Sequence, residues 1–187
     1  MGLFCCQAHS SAIVPSTIPI SSIVADSTTS TGLKWAAPAG GALVGVKIAR
    51  QATQSISNAT WTAISFDQET FDTDSFWASS PNPTRFTVPS GKGGKYAITG
   101  AIDFASNQTG IRAGTFRINN VEKFYLNWMS AATGDRAVLV GATIFDLSVG
   151  DYVELFCYQN SGSSVNISNN LGGTDGSSNF SAQYLGA

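Results

Sequence analysis

Four acidic residues within a short span, Asp67, Glu69, Asp72 and Asp74, are the densest group of metal-capable side chains in the sequence. Calcium, a hard cation, takes several carboxylate and carbonyl oxygens, so this run is a calcium candidate. Its spacing is not that of an EF-hand loop, and a solvated turn favours Asp without any ion. No other cofactor is expected. Nucleophilic chemistry is poorly supplied. His9 is the sole histidine and lies in a segment with no obvious scaffold, whereas a Ser-His-Asp or Cys-His site needs a base held rigidly in place. The same scarcity argues against His-rich zinc sites, and no Cys-x-x-Cys pair is present. The reading is a non-enzymatic protein.

Weaker motifs resolve the same way. The Gly-rich "SGKGGK" at 90–95 lacks the spacing and the following helix of a phosphate-binding P-loop, and reads as a strand connection. Asn58, Asn107, Asn166 and Asn179 match the glycosylation acceptor pattern, which a chain rich in Asn, Ser and Thr produces by chance. Of the three cysteines, Cys157 sits in an apolar run as a small core residue, and Cys5 and Cys6 are adjacent, so a disulfide framework is not indicated. Pairing of Cys5 and Cys6 between subunits remains open. Trp61, Trp77, Trp128 and Tyr125 are read first as core or subunit interface, because aromatics dominate buried contacts; a sugar-stacking surface is the alternative.

The elements that must position these residues follow from composition. The chain has 187 residues, enough for one domain with a core plus an appendage. Only 12% of residues are charged while 11% are aromatic, which favours strands and turns over helices, whose exposed faces are normally filled with Glu, Lys and Arg. A net charge of −2 with scattered cations offers no basic stripe for nucleic acid.

Residues 1–42 read as an extended arm and collar. Pro15 and Pro19 block a helix, and no apolar run approaches the ~20 residues of a membrane span, so no membrane insertion is expected. The basic n-region of a secretory signal is missing, and Cys6 stands where myristoylation wants Ser or Thr. The arm is too apolar to float free and is expected to dock, with Ile18, Ile20, Leu33 and Trp35 as anchoring residues.

From residue 43 to 187, strand-like runs alternate with turn signals. Candidate strands are 43–51, 60–67, 84–90, 95–105, 111–119, 123–130, 136–147, 151–159 and 179–186. Several have the period of two of a strand with one buried face, as in Tyr96, Ile98, Ile102 and Phe104, or Val153, Leu155 and Cys157. "PNP", "SNQTG", "ATGD" and "SVGD" punctuate them. The reading is an all-β antiparallel sandwich of about ten strands.

At "NPTRFTVPSGKGGKYAITGAIDFA" the pattern resembles the central segment of the complement-q globular head, in the tumour-necrosis-factor-like jelly-roll superfamily. "SFDQETFDTDSFW", "LSVGDYVELFCYQNSG" and the closing "NFSAQYLGA" resemble further segments of that head in the same order. "ADSTTSTGLKWAAPAGG" resembles the junction preceding such heads in bacteriophage tail fibres and other virion proteins. The resemblance implies a jelly roll, a homotrimer with Phe104 and Tyr184 as contact candidates, and a virion location. On that basis the expected function is a structural knob held by its arm on other virion proteins as capsid decoration or a short fibre. The alternative is a receptor-binding tip that engages host-surface glycan.

Overall fold

The computed structural model describes residues 43–131, 136–167 and 176–187, and the backbone of 22–25 and 33–36. The chain divides into two compact units, Met1–Ala42 and Leu43–Ala187. In the first, β1 (Ser22–Ala25) pairs antiparallel with β2 (Leu33–Ala36), which sets Trp35 opposite Ile23 and Leu33 opposite Ala25. Part of the arm is therefore paired with itself. Ile18 and Ile20 lie outside the described residues.

The second unit has two antiparallel sheets. One contains β3 (Gly45–Arg50), β4 (Gln54–Ile56), β6 (Gln68–Asp72), β8 (Gly94–Phe104), β11 (Ala137–Leu147), β13 (Val165–Ile167) and β14 (Ser178–Gly186). Its spine runs β6-β3-β14-β8-β11, with β13 and β4 joined at the Phe104 end of β8. The other holds β5 (Thr62–Ala63), β7 (Arg85–Thr87), β9 (Ile111–Ile118), β10 (Val121–Ser130) and β12 (Tyr152–Gln159), with β12 between β9 and the short β5 and β7. This is the jelly roll expected, with twelve strands among the described residues of the unit.

The expected strands are all present, and the differences lie in short pieces. The stretch 60–67 pairs as a strand only at Thr62–Ala63 because it crosses between the sheets. The Ile64 N–H bonds to the Leu155 carbonyl of one sheet (2.9 Å), and the Asp67 N–H to the Ala49 carbonyl of the other (3.2 Å). The added strands β4, β6 and β13 lie in Ser-, Asn- and Asp-bearing segments, where local composition reads as turn and long-range pairing makes the strand.

The core fills the space between the sheets. Its centre is Phe180 on β14, with ring centroids 5.1 Å from Phe86, 5.7 Å from Phe116 and 5.9 Å from Phe66. Every one of these rings is essentially inaccessible to solvent. Phe104, which the resemblance offered as a trimer contact, is fully buried in the same core, because the period of two along its strand points its ring inward and leaves it no exposed surface for a second copy. Cys157 is a free, buried core thiol, and burial pushes its pKa up.

Two glycines let one strand deform. In the β9–β10 pair, Leu126 and Asn127 together face Gly114, a β-bulge between Tyr125 opposite Thr115 and Trp128 opposite Ala113. Leu126 lies where any Cβ on Gly141 would sit, 2.7 Å from its Cγ and 2.8 Å from its Cα. A residue larger than glycine at 141 would collide with the bulge.

Truncating Phe180 removes contacts from both sheets at once. Phe180→Ala is expected to cost about 3–5 kcal/mol of folding stability, read as a lower urea midpoint at unchanged slope. A loss below about 1 kcal/mol would mean that the aromatic centre does not hold the sheets together.

Candidate functional site

Two outward faces stand out, one on each sheet. On the larger sheet, β11 is apolar on both sides. Leu139 and Leu147 point into the core, while Val138, Val140 and Ile144 are 44%, 62% and 61% exposed. The neighbouring outward positions are small: Val140 is opposite Ala101, Ala142 opposite Thr99, and Ile144 opposite Ala97. Beyond them on β14 stand Asn179 and Ser181, the latter sharing a hydroxyl hydrogen bond with Thr99 (2.6 Å), and Leu185 is exposed at the strand's end. The surface is aliphatic along β11, with a shallow depression beside Val140 and Ala142, and it ends at the exposed ion pair of Lys95 and Asp146.

On the smaller sheet, aromatic rings form a platform. Cross-strand register puts Ala113 of β9 between Trp128 of β10 and Tyr158 of β12. The two large rings lean over the small residue with centroids 6.1 Å apart and planes 24° from parallel. Trp61, just ahead of β5, lies 5.2 Å from Tyr158 and 6.4 Å edge-on to Trp128, and Tyr125 lies 6.0 Å from Trp128 and 6.1 Å from Trp61. This cover explains why five consecutive residues of β9 are buried: its inward side chains meet the core, and Ala113 and Thr115 lie under the rings.

Charged groups fix the platform's edge. The Arg117 guanidinium stacks on Phe156 at 4.0 Å and over Trp61 at 5.7 Å, a cation–π arrangement. Its Nη2 is 3.9 Å from Glu122, whose other carboxylate oxygen accepts the Tyr125 hydroxyl. That hydrogen bond raises the Tyr125 pKa, since it favours the protonated phenol beside a carboxylate.

Of the four aromatics singled out in sequence, the structure brings Trp61, Tyr125 and Trp128 together and leaves Trp77 apart. Trp77 is half-buried, with its Nε1–H donating to the Pro83 carbonyl (3.2 Å). Tyr125 and Trp128 are 45% and 53% exposed, so of the reading as core or subunit interface the core half does not apply to them. Tyr158 completes the cluster and was missed. Its signal was present: in "YVELFCYQ" the core positions Val153, Leu155 and Cys157 require Phe156 and Tyr158 on the opposite face.

Tyr184 is half-buried, its ring 5.2 Å from Tyr96 and its hydroxyl donating to the Gly93 carbonyl (3.2 Å), so it packs against the core side. Val138, Val140, Ile144 and Leu185 are the outward apolar residues of that sheet. The missed signal was the unbroken run "AVLVGATIF", because a strand with one wet face alternates and one covered on both faces does not.

The acidic run does not converge. Asp67 accepts the Gln51 and Ala52 N–H groups (2.6 and 2.9 Å) and pairs with Arg50 at 3.3 Å. Asp72 caps the following turn through the Phe76 and Trp77 N–H groups (3.0 and 2.8 Å). Asp74 accepts the Thr73 hydroxyl (2.8 Å) and lies 3.2 Å from Lys92; these bonds, the Thr73 one foremost, lower its pKa. Glu69 points to solvent. Among the described residues no group of three His, Cys, Asp or Glu side chains could hold a metal ion. "SGKGGK" is the connection into β8, held by the Tyr96 hydroxyl on the Lys92 carbonyl (2.6 Å).

The architecture is that of an all-β antiparallel jelly roll. Murine APRIL has the same fold at a TM-score of 0.56, with 12% identity over 76% of this chain and 99% of that one. The globular domain of zebrafish complement 1qA matches at a TM-score of 0.51, with 11% identity over 76% of this chain and 98% of that one. No protein-family model matches the sequence, and no curated protein matches it.

Because Asp67, Asp72 and Asp74 are each committed to their own N–H, hydroxyl or cationic partners and Glu69 points to solvent, calcium should gain nothing here. Melting scans with added calcium or with chelator are expected to coincide; a calcium-dependent rise of several degrees would show a site that these side chains do form.

Proposed function

We propose that the chain is a non-enzymatic surface protein of a bacteriophage particle. Its jelly-roll heads associate as homotrimers through the outward β11-β8-β14 face, and its N-terminal arm attaches them to other virion proteins. The observation that carries self-association is the exposed aliphatic surface of Val138, Val140, Ile144 and Leu185. Such a surface exposed to water favours burial against another copy, and its flat, small-residue neighbours allow close approach. The fold it shares with APRIL and complement 1qA supports the same reading. The virion location rests on the resemblance of "ADSTTSTGLKWAAPAGG" to phage head junctions, and the arm's apolar residues suit a docking role.

Capsid decoration or a short fibre is the primary placement. The aromatic platform favours a second, a receptor-binding tip, because it lies on the other sheet from the association face and would stay outside the trimer.

Light scattering coupled to size exclusion is expected to give a trimer for the full chain and a monomer for Val140→Glu/Ile144→Glu, with the far-UV spectrum and melting of the head retained. Apposed carboxylates in a desolvated face repel and cost their hydration. A monomeric parent chain, or a variant that still trimerises, would overturn the association face. For attachment, Trp35→Ala is expected to reduce incorporation into particles while the head still folds; unchanged incorporation would remove Trp35 from the anchor. Antibody labelling of intact particles separates the two placements: copies over the capsid mark decoration, copies at the tail tip mark receptor binding.

A further inference from the structure

We infer that the platform of Trp61, Tyr125, Trp128 and Tyr158 is a binding site for a neutral saccharide, which stacks the C–H-rich face of a pyranose ring on the exposed rings of Trp128 and Tyr125. This deepens the receptor-binding reading by giving it a site and a ligand class.

Size favours a sugar over a protein. At ~150–250 Å² per aromatic side chain, two rings 45% and 53% exposed and two less exposed offer roughly 300 Å². That is well below the ~800 Å² each partner contributes to a stable protein pair, and it matches a short stretch of oligosaccharide. The patch lies on the outside of a sheet, without the deep pocket in which a protein's anchor residue is usually seated.

Its chemistry selects a neutral ligand. Arg117 is the cation beside the rings, and it is already engaged by Phe156, Trp61 and Glu122. An anionic sugar would meet the Glu122 carboxylate at the platform's edge, where the Arg117 guanidinium is already sandwiched against aromatic rings. A bare cation is disfavoured too: ring centroids only 5.2–6.4 Å apart leave the rings packed on one another, with no cage between them. What remains is a set of apolar ring faces bordered by a guanidinium and a carboxylate, able to hydrogen-bond hydroxyls around a stacked sugar.

The platform is also preorganised. Each ring is held by its neighbours, and the Arg117–Glu122–Tyr125 chain fixes one edge, so little side-chain freedom is lost on binding. Three copies on one trimer would multiply a weak contact by avidity on a glycan-bearing surface.

The test uses the full chain and a panel of neutral oligosaccharides (lactose, maltotriose, chitotriose and mannotriose) beside 3′-sialyllactose, read by saturation-transfer NMR and tryptophan fluorescence. The expected result is millimolar binding of at least one neutral member, with saturation strongest at its ring C–H protons and little dependence on salt. Trp128→Ala should weaken that binding by about tenfold or more, and Trp128→Phe should retain most of it, at unchanged melting temperature. Binding to none of the neutral sugars, preference for the sialylated one, or equal binding by Trp128→Ala overturns the proposal, as does capture of a protein partner on the platform in place of sugar. Single-site binding should survive in Val140→Glu/Ile144→Glu, so a failure of trimerisation and a failure of sugar binding read out separately.

Discussion

The structure depends on one strand arriving last and lying in the middle. β14 ends the described chain, yet it pairs with β3 on one side and β8 on the other, and carries Phe180 into the centre of the aromatic core. Neither sheet has its full inner surface until Phe180 meets Phe66, Phe86 and Phe116. The contacts that stabilise the fold are therefore long-range, and their loop-closure cost is met only when the sheets close together.

The two outward faces diverge because their small residues lie in different places. On the larger sheet, Ala97, Thr99 and Ala101 run along β8 beside branched aliphatics on β11, giving a low surface that another flat surface can cover. On the smaller sheet the small residues Ala113 and Thr115 lie on the central strand β9 with large rings on both flanks, so the rings fold over them and meet. The first arrangement suits a copy of the same chain; the second presents ring faces to solvent. The two proposed surfaces, one for self-association and one for sugar, thus lie on opposite sides of one sandwich.

Much of the fold was legible. The period of two in 95–105 and 151–159, bounded by Gly- and Pro-rich turns, specifies strands with one core face, and those strands are present at nearly the expected bounds. Short strands such as Gln54–Ile56 and Val165–Ile167 were not legible, because three residues carry too little pattern and exist through their partners. The acidic run looked like one site in one dimension. In three, Asp67, Asp72 and Asp74 are separate caps and ion pairs, each meeting an N–H or a cation before it can meet its neighbour, and Glu69 points to solvent.

By itself the sequence determined the all-β class and most of the turn positions, since these follow from composition and local period. Only the tertiary structure decided which aromatics share a surface. Tyr125 and Trp128 are three residues apart, and a regular strand would send them to opposite faces. The bulge at Leu126 and Asn127, made possible because Gly141 and Gly114 leave room for Leu126, turns both outward. Tyr158 joins them from β12 and Trp61 from the residue just ahead of β5. A side chain's face is a local property only while the strand is regular, and its neighbours across the sheet are set by pairing partners far away in the chain.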